Sequence, residues 1–224
     1  GKTLQYHYDN NYDVSGATEY GSGKIYHTYI RPEFRAGLVY KLDDWSSVKA
    51  NFTHNTQFIQ IANNSDSGSP LDLWFPASPN IKPQEANQYS VGYFRNFKNN
   101  AIETSVEFYY KGMKNVIDFK DNAQILFNEK LDGDIRTGKG KSYGMEIMVK
   151  KNTGRLTGFI NYTLAHTDRT IAGINNGKTY LAPNDKTHSI NILGSYELSK
   201  KWDVSAEWIF STGTPVTYPT GRME

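Results

Sequence analysis

Residues 79–119 read PNIKPQEANQYSVGYFRNFKNNAIETSVEFYYKGMKNVIDF, and this stretch decides the fold. Apolar and polar side chains alternate at every second position on both sides of a short polar turn at residues 98–100. That period predicts a β-hairpin with one apolar, aromatic-rich face and one polar face that carries carboxylates. The apolar phase changes after Lys111, and we expect a β-bulge at Gly112 to accommodate the change.

The rest of the chain repeats this unit. The same alternation predicts one weak strand followed by eight strong ones, at residues 3–8, 24–42, 47–61, 88–97, 102–119, 142–150, 156–164, 189–198 and 202–211. Four connections are tight, around Asp43, Asn99, Asn152 and Lys200, and the polar segments 9–23, 62–86, 121–140 and 168–186 are expected to be long loops. Short turns that alternate with long loops are typical of up-and-down transmembrane β-barrels.

Composition excludes several classes of protein. The chain of 224 residues has a net charge of +2 and no Lys/Arg run, which argues against nucleic-acid binding. It contains no cysteine, so disulfides and thiol chemistry are excluded. Only 38 % of the residues are hydrophobic, and no apolar run would form a membrane-spanning helix. Transmembrane β-strands place only every second residue in lipid, so a low hydropathy does not argue against a barrel.

The apolar faces need either lipid or a second protein layer. The alternative to lipid is a soluble β-sandwich, in which a second sheet covers the apolar face. The faces at 48–58 and 102–110 are roughly ten residues long, which suits a tilted membrane strand better than an average soluble strand. Aromatic residues also lie beside the short turns, where an interfacial girdle is expected: Tyr40, Trp45, Tyr93, Phe97 and Trp202.

Catalytic and metal-binding patterns are absent from the sequence. His166 and His188 occupy apolar-phase positions at strand ends, and no GxSxG elbow accompanies them. The other histidines and the loop acids lack the spacing of zinc ligands. The Gly-rich segment 137–142 resembles a phosphate loop in composition only. We therefore expect no enzyme activity, no cofactor and no metal site.

Ligand contact is expected in the long connections. Trp74 and Phe75 belong to an exposed apolar cluster, and Asn63 and Asp66 lie beside it in the sequence. Tyr180 projects from the last long connection. The alternative is that Trp74 and Phe75 pack this loop against its neighbours.

Several motifs resemble those of a known family. NIKPQE at 80–85 and QYSVGY at 88–93 are similar to the Asn-x-x-x-Pro-Glu and Tyr-Glu-x-Gly-Tyr signature of TonB-dependent outer-membrane receptors, although Gln84 precedes Glu85 and Ser90 replaces the usual acidic residue. Further stretches resemble the same barrel in the family's order: SVEFYYK at 105–111, YGME at 143–146, LTGFINYTL at 156–164, PNDKTH at 183–188 and STGTPVT at 211–217.

This resemblance implies that the all-β, antiparallel segment is about nine strands of a larger, 22-stranded up-and-down transmembrane barrel. Residues 1–224 would be part of that barrel, without its plug and final strands. The implied function is uptake of a scarce nutrient across the cell outer membrane with energy from TonB, in a branch with a carboxypeptidase-regulatory-like N-terminal domain. Implied partners are outer-membrane lipid, the protein's own plug, the TonB complex through an N-terminal segment outside this chain, and a surface lipoprotein.

The resemblance also gives the polar face a role. It would line the barrel lumen, so Glu103, Glu107 and Glu146 are expected to face the plug, the alternative being a solvated wall. The nutrient is left open among iron chelates, cobalamin and glycans. Two other functions stay open at this stage: a small self-contained outer-membrane barrel or β-sandwich that acts as an adhesin or binding module, and a barrel hydrolase that uses His166 and His188.

Overall fold

The computed structural model describes residues 2–62, 73–121, 123, 128 and 130–216. These residues form an all-β, antiparallel fold with two short 3₁₀ segments. Within them, no helix is both long enough and apolar enough to cross a membrane. The strands are β1 Lys2–Tyr8, β2 Val14–Gly21, β3 Phe34–Lys41, β4 Ser46–Gln57, β5 Ile59–Ala62, β6 Leu73–Pro76, β7 Gln84–Phe97, β8 Ile102–Phe119, β9 Ile135–Lys151, β10 Leu156–Ile171, β11 Tyr180–Leu181, β12 His188–Ser199 and β13 Trp202–Ser211.

One large sheet dominates the molecule. Its strands lie in the order β13-β12-β10-β9-β8-β7-β4-β3, and β11 adds to the far end of β10 as a ninth strand. The eight strands of this path are the eight strong strands of the sequence prediction, and every neighbouring pair is antiparallel. The path stays open, because β3 and β13 do not pair with each other within the described residues. A self-contained closed barrel is therefore not what these strands form.

The four tight turns lie at one end of this sheet, as predicted. They are joined by backbone hydrogen bonds that run from one hairpin to the next. We call this end the turn rim. Its bonds are Asn96 N–H to Trp45 O (2.8 Å), Asn152 N–H to Ala101 O (2.9 Å) and Glu197 N–H to Arg155 O (2.8 Å).

An apolar band crosses the whole sheet on one face. The register aligns its side chains in continuous rows, such as Ala50, Val91, Phe108, Met145 and Leu164. The band is not covered: Phe108 is 52 % and Trp208 54 % exposed, and no second sheet of the described residues packs over it. The β-sandwich alternative is therefore wrong, because a sandwich would bury this face.

The dry core lies instead at the other end, where the long connections gather. A cluster that we call the loop-end core packs the β5–β6 hairpin onto the far ends of β8 and β9. It consists of Ala62, Phe75, Ile81, Ile117, Phe119 and Ile135. A smaller cluster of Val116, Ile171 and Ile174 lies nearby. The buried apolar side chains are thus concentrated at the end of the sheet where the strands extend past the apolar band.

The weak N-terminal strand belongs to a separate hairpin. β1 pairs with β2, which lies in the segment 9–23 that the sequence predicted to be a loop. That prediction is wrong, because only the tip is a turn: the Asp9 carboxylate accepts hydrogen bonds from the backbone N–H of Asn11 (2.8 Å) and Asp13 (2.9 Å). This Asx-type turn reverses the direction of the chain, so that the backbone of the short, polar β2 forms its hydrogen bonds with β1.

Three further predicted loops also contain strand. The segment 62–86 holds the β6 half of the β5–β6 hairpin, β9 begins at Ile135, and β10 extends to Ile171. The extensions of β9 and β10 are too polar to show a period of two, and backbone pairing with the neighbouring strand stabilises them. The predicted strand 24–42 is shorter, because strand pairing begins only at Phe34, after Pro32.

The bulge lies three residues beyond its predicted position. The register of β8 against β9 shifts between Lys114 and Val116, and Asn115 adopts a left-handed backbone with φ 57°. Gly112 is an ordinary paired residue opposite Lys141. Asn tolerates positive φ, and the Asn115 Nδ2 donates to Pro83 O at 2.8 Å, which fixes the bulge against the start of β7.

Candidate functional site

The β5–β6 hairpin presents two aromatic side chains in opposite directions. Trp74 is 64 % exposed, whereas Phe75 is 6 % exposed and its ring meets that of Phe119 edge-on at 6.0 Å. The prediction that Phe75 is exposed is therefore wrong. Neighbouring residues of a strand point to opposite faces, so Phe75 is buried where Trp74 is exposed. Asn63 and Asp66 lie outside the described residues.

A cavity of about 310 Å³ opens beside Trp74. It lies between the β5–β6 hairpin, the start of β7, and the far ends of β8 and β10. This volume is at the small end of the range for ligand pockets. Its polar lining consists mainly of amides and one guanidinium: Gln57, Gln60, Gln84, Arg169 and Asn184.

Gln60 is the most unusual residue of this cavity. Its side chain is 97 % buried, at 3 % exposure, and its Nε2 donates to Lys82 O at 3.1 Å. Its Oε1 has no hydrogen-bond partner among the described residues. A buried amide oxygen without a donor costs free energy, so this position calls for a donor from a ligand or from water.

The charge of Arg169 is balanced within the protein. Its Nη1 lies 3.3 Å from Asp118 Oδ2, and Tyr180 Oη donates to the same oxygen at 2.8 Å. Burial, followed by the negative charge of Asp118, raises the pKa of Tyr180 well above its ordinary value. Tyr180 therefore holds a neutral hydroxyl against Asp118, and the cavity as a whole carries little net charge.

The three glutamates expected to face the plug lie away from the cavity beside Trp74. All three are on the sheet face opposite the apolar band, and Glu107 and Glu146 sit directly across from each other on β8 and β9. Glu103 lies nearer the turn rim and accepts a hydrogen bond from Asn152 Nδ2 at 2.6 Å. The structure thus brings Trp74 together with Arg169, and Glu107 together with Glu146, but keeps these two groups at different levels of the sheet.

The histidines make contacts that fit an interfacial position. The His166 ring lies 5.3 Å from that of Tyr143, and His188 Nδ1 lies 2.9 Å from Tyr162 Oη. Ser142 Oγ bonds Thr167 Oγ1 at 2.9 Å rather than a histidine. Among the described residues, no group of histidine and acidic side chains is arranged to hold a metal ion. Neither the His166 ring nor the His188 ring is hydrogen-bonded to a serine or threonine hydroxyl of the described residues that could act as a nucleophile.

Sequence reasoning missed the amides and Arg169. They come from segments far apart along the chain, from the end of β4 to the turn after β11, and each looks like an ordinary polar residue. One signal was available: Gln57 and Gln60 flank Phe58-Ile59, where the strand pattern of β4 breaks before β5 begins. Such a break marks a change of direction, and polar residues around it are candidates for a site.

Comparison with known proteins identifies the fold. The chain is similar to the ferric-catecholate import receptor Fiu from E. coli K12, with a TM-score of 0.52 and 19 % identity. The match covers 86 % of this chain and 24 % of that receptor, so the chain spans about a quarter of its length, and at this identity the likeness shows the fold alone. None of the curated proteins matches the chain.

The family model described as TonB dependent receptor-like, β-barrel matches residues 4–222. That range includes the eight-strand path, the turn rim and the cavity beside Trp74. The likeness drawn from NIKPQE, QYSVGY and the later motifs is thereby confirmed at the level of the family. The chain belongs to the TonB-dependent receptor-like β-barrel family, and its sheet is a segment of such a barrel.

Proposed function

We propose that this chain is part of the barrel wall of a cell outer-membrane receptor that takes up a scarce nutrient with energy from TonB. The observation that carries the proposal is the uncovered apolar band, which crosses eight strands and has no layer of the described residues over it. Lipid is the environment that such a face requires. Family membership supports the same setting, since the family is one of transport receptors rather than enzymes.

The polar face then lines the lumen and meets the plug of the whole receptor. The Glu107–Glu146 pair supports this role, because two carboxylates directly across a β-ladder repel each other unless a cation or donor lies between them. A Lys or Arg of the plug would supply that charge. The carboxypeptidase-regulatory-like N-terminal domain and a surface lipoprotein partner remain part of the proposal.

A double charge reversal tests the plug contact. In the whole receptor, Glu107→Lys with Glu146→Lys should loosen the plug, and cells should become more sensitive to large antibiotics such as vancomycin. Glu207→Lys, on the same face but on β13, serves as the control. Unchanged sensitivity in the double variant, at normal receptor abundance, would favour a solvated wall at this level.

The cavity beside Trp74 is the proposed nutrient contact, with Tyr180 supporting it through Asp118. The balanced charge of Arg169 disfavours a highly charged chelate. Amides both donate and accept, as hydroxyl groups do, and an exposed indole stacks on the apolar face of a sugar ring. A neutral polyhydroxylated nutrient therefore fits this lining best.

Calorimetric titration of the whole receptor in dodecyl maltoside tests this assignment. The probes are maltohexaose, xylohexaose and a ferric tris-catecholate, and the variant is Trp74→Ala, with the exposed band residue Trp202→Ala as control. A neutral oligosaccharide should bind, and Trp74→Ala should weaken it about tenfold, equivalent to about 1.4 kcal/mol. Binding of the catecholate alone would overturn the nutrient class. Uptake that persists without TonB would overturn the transport role itself.

A further inference from the structure

We propose that a cleft on the outward side of the sheet, just beyond the apolar band, binds the phosphorylated headgroup of a lipid. This proposal rests on the proposed membrane setting, which makes the face of the apolar band the outward face. It does not depend on the identity of the nutrient. The cleft has a volume of about 500 Å³ and lies on the face of the apolar band rather than on the polar, lumen side. Its basic residues are Lys114, Lys139 and Lys141.

A row of tyrosines marks the level at which the band ends. Tyr89, Tyr110 and Tyr143 are aligned neighbours on three strands, and His166 continues the row on β10. Tyrosine is favoured at this boundary because its ring is apolar and its hydroxyl is polar. The next row on the same face is polar and contains Gly112 and Lys141.

Strand length places the lysines at headgroup level. An apolar band about 25 Å tall needs roughly ten residues of a tilted strand. Counted from Ile102 at the start of β8, ten residues end near Gly112. The following outward residue is Lys114, and Lys139 lies directly opposite it on β9. Both ammonium groups therefore reach the zone where lipid phosphates lie.

Gly112 makes room for a ligand on this surface. It has no side chain, and it lies between Asn87 and Lys141 in the polar row. A Cβ atom built there would meet only the Tyr110 ring, at 3.7 Å and 3.9 Å. The cleft floor is thus open although the neighbouring positions carry long side chains.

Among the described residues of the cleft, two cations have no ion-pair partner. Glu85 is engaged by Arg31 at 2.8 Å, and the buried Asp168 lies 3.5 Å from Lys141 and 3.6 Å from His166. His54 bonds Asn87 at 2.7 Å. Lys114 lies between Glu85 on β7 and Lys139 on β9 in the same row, and neither lysine forms an ion pair with a described residue. Like charges directly opposite each other on a β-ladder destabilise it, and an anion between them would remove that cost.

A lipid phosphate is the occupant that this position selects. The cleft adjoins the uncovered band and the tyrosine row, so acyl chains would continue along the band while the phosphate meets Lys114 and Lys139. A soluble anion has no apolar part to use that surface. Two lysines that act as point charges on a phosphate are a familiar arrangement in proteins.

Native mass spectrometry of the whole receptor in neutral detergent tests the proposal. The probe is bisphosphorylated lipid A, with phosphatidylcholine and inorganic phosphate as separate arms. The charge variant is Lys114→Gln with Lys139→Gln, and its matched control is Lys41→Gln with Lys111→Gln on the lumen side. A second variant, Gly112→Leu, fills the cleft and leaves every charge in place.

We expect one retained lipid A, at least tenfold weaker binding in the charge variant and in Gly112→Leu, and no change in the control. Phosphatidylcholine and inorganic phosphate should not compete. Equal retention of lipid A and phosphatidylcholine, or full binding by both cleft variants, would overturn the proposal. Competition by inorganic phosphate would identify a free-anion site instead. Migration of the unheated, folded barrel on gels confirms that each variant is assembled, so weak binding is not mistaken for misfolding.

Discussion

The apolar band and the loop-end core are built from similar residues but obey different rules. Phe108 in the band is 52 % exposed, whereas Phe119, eleven positions later on the same strand, is 7 % exposed and packs against Phe75. In the proposed membrane setting, fluid lipid fills any gap beside the first ring. Only fixed protein atoms surround the second, so a gap there stays empty. The same amino acid should therefore contribute different amounts to stability at the two places.

Truncating the two phenylalanines is the most direct test of this difference. Phe119→Ala should destabilise the whole receptor by about 3–5 kcal/mol, because it leaves a cavity in the loop-end core. Phe108→Ala should cost about 2 kcal/mol, the transfer contribution without a cavity. Urea unfolding of the receptor in lipid vesicles measures both. Equal losses would mean that the band is packed like a protein interior.

A charged side chain should destabilise the receptor more on the apolar band than on the opposite face of the sheet. Val106 and Ser105 are neighbours on β8 and face opposite sides of the sheet. Val106→Arg should cost about 2–4 kcal/mol because it places a cation in hydrocarbon, and Ser105→Arg should cost less than about 1 kcal/mol. The same unfolding experiment compares them. A tolerated arginine at Val106 would show that water, not lipid, meets the band.

Within the band, strict requirements fall on the backbone. Gly158 and Gly194 are paired on β10 and β12, but only Gly158 has a positive φ, 152°, and a Cβ there would lie 2.1 Å from Leu193 O. Gly194 has nothing within 4 Å of that position. Gly158→Ala should therefore cost about 1–3 kcal/mol and Gly194→Ala almost nothing. A similar cost for both would show that chain entropy, not geometry, decides.

The smallest effect is expected from Tyr180 at the loop end, where it depends on pH. The pKa of Tyr180 is raised in the folded protein, so its proton is held more tightly there than in the unfolded chain. The stability that Tyr180 contributes to the folded protein is fully present below pH 10, the ordinary pKa of tyrosine. It is lost as the pH rises above that value. Tyr180→Phe should cost about 1 kcal/mol and remove this contribution to the alkaline decline.

Hydrogen exchange of residues 168–171 between pH 9 and pH 11 measures this effect. The exchange rates are corrected for the intrinsic effect of pH, and Tyr40→Phe, an exposed residue of the band, is the control. The wild type and the control should lose protection above pH 10, and Tyr180→Phe should lose less. Identical pH profiles in all three proteins would contradict the role of the Tyr180–Asp118 bond.

The sequence was a good guide wherever one face meets a uniform environment. Strict alternation from Ile102 to Tyr110 predicted β8, and the polar runs around Asn99 and Asn152 predicted tight turns. Beyond the band this guide fails, because residues there pack against particular neighbours rather than against lipid. β2 and the extension of β10 are polar on both faces, and only their pairing partners make them strands.

The candidate site was predictable in part. Alternation alone implied that Trp74 and Phe75 point in opposite directions, so only one of the pair could be exposed. The cavity itself could not be read from the sequence, since Gln60 and Arg169 line it from β5 and β10, which belong to different sheets. The bulge was misplaced because Asn115 and Gly112 are both residues that tolerate unusual backbone geometry, and pairing with Gly138 and Lys139 decides between them.

The turn rim has a consequence for biogenesis. Each of its bonds links the closing turn of one hairpin to the edge of the next, as Asn152 N–H does with Ala101 O. A newly closed hairpin therefore presents hydrogen-bonding groups at its turn, and these set the register of the following hairpin. Assembly would then advance around the wall in chain order, and a single misaligned hairpin would carry its error into every later one.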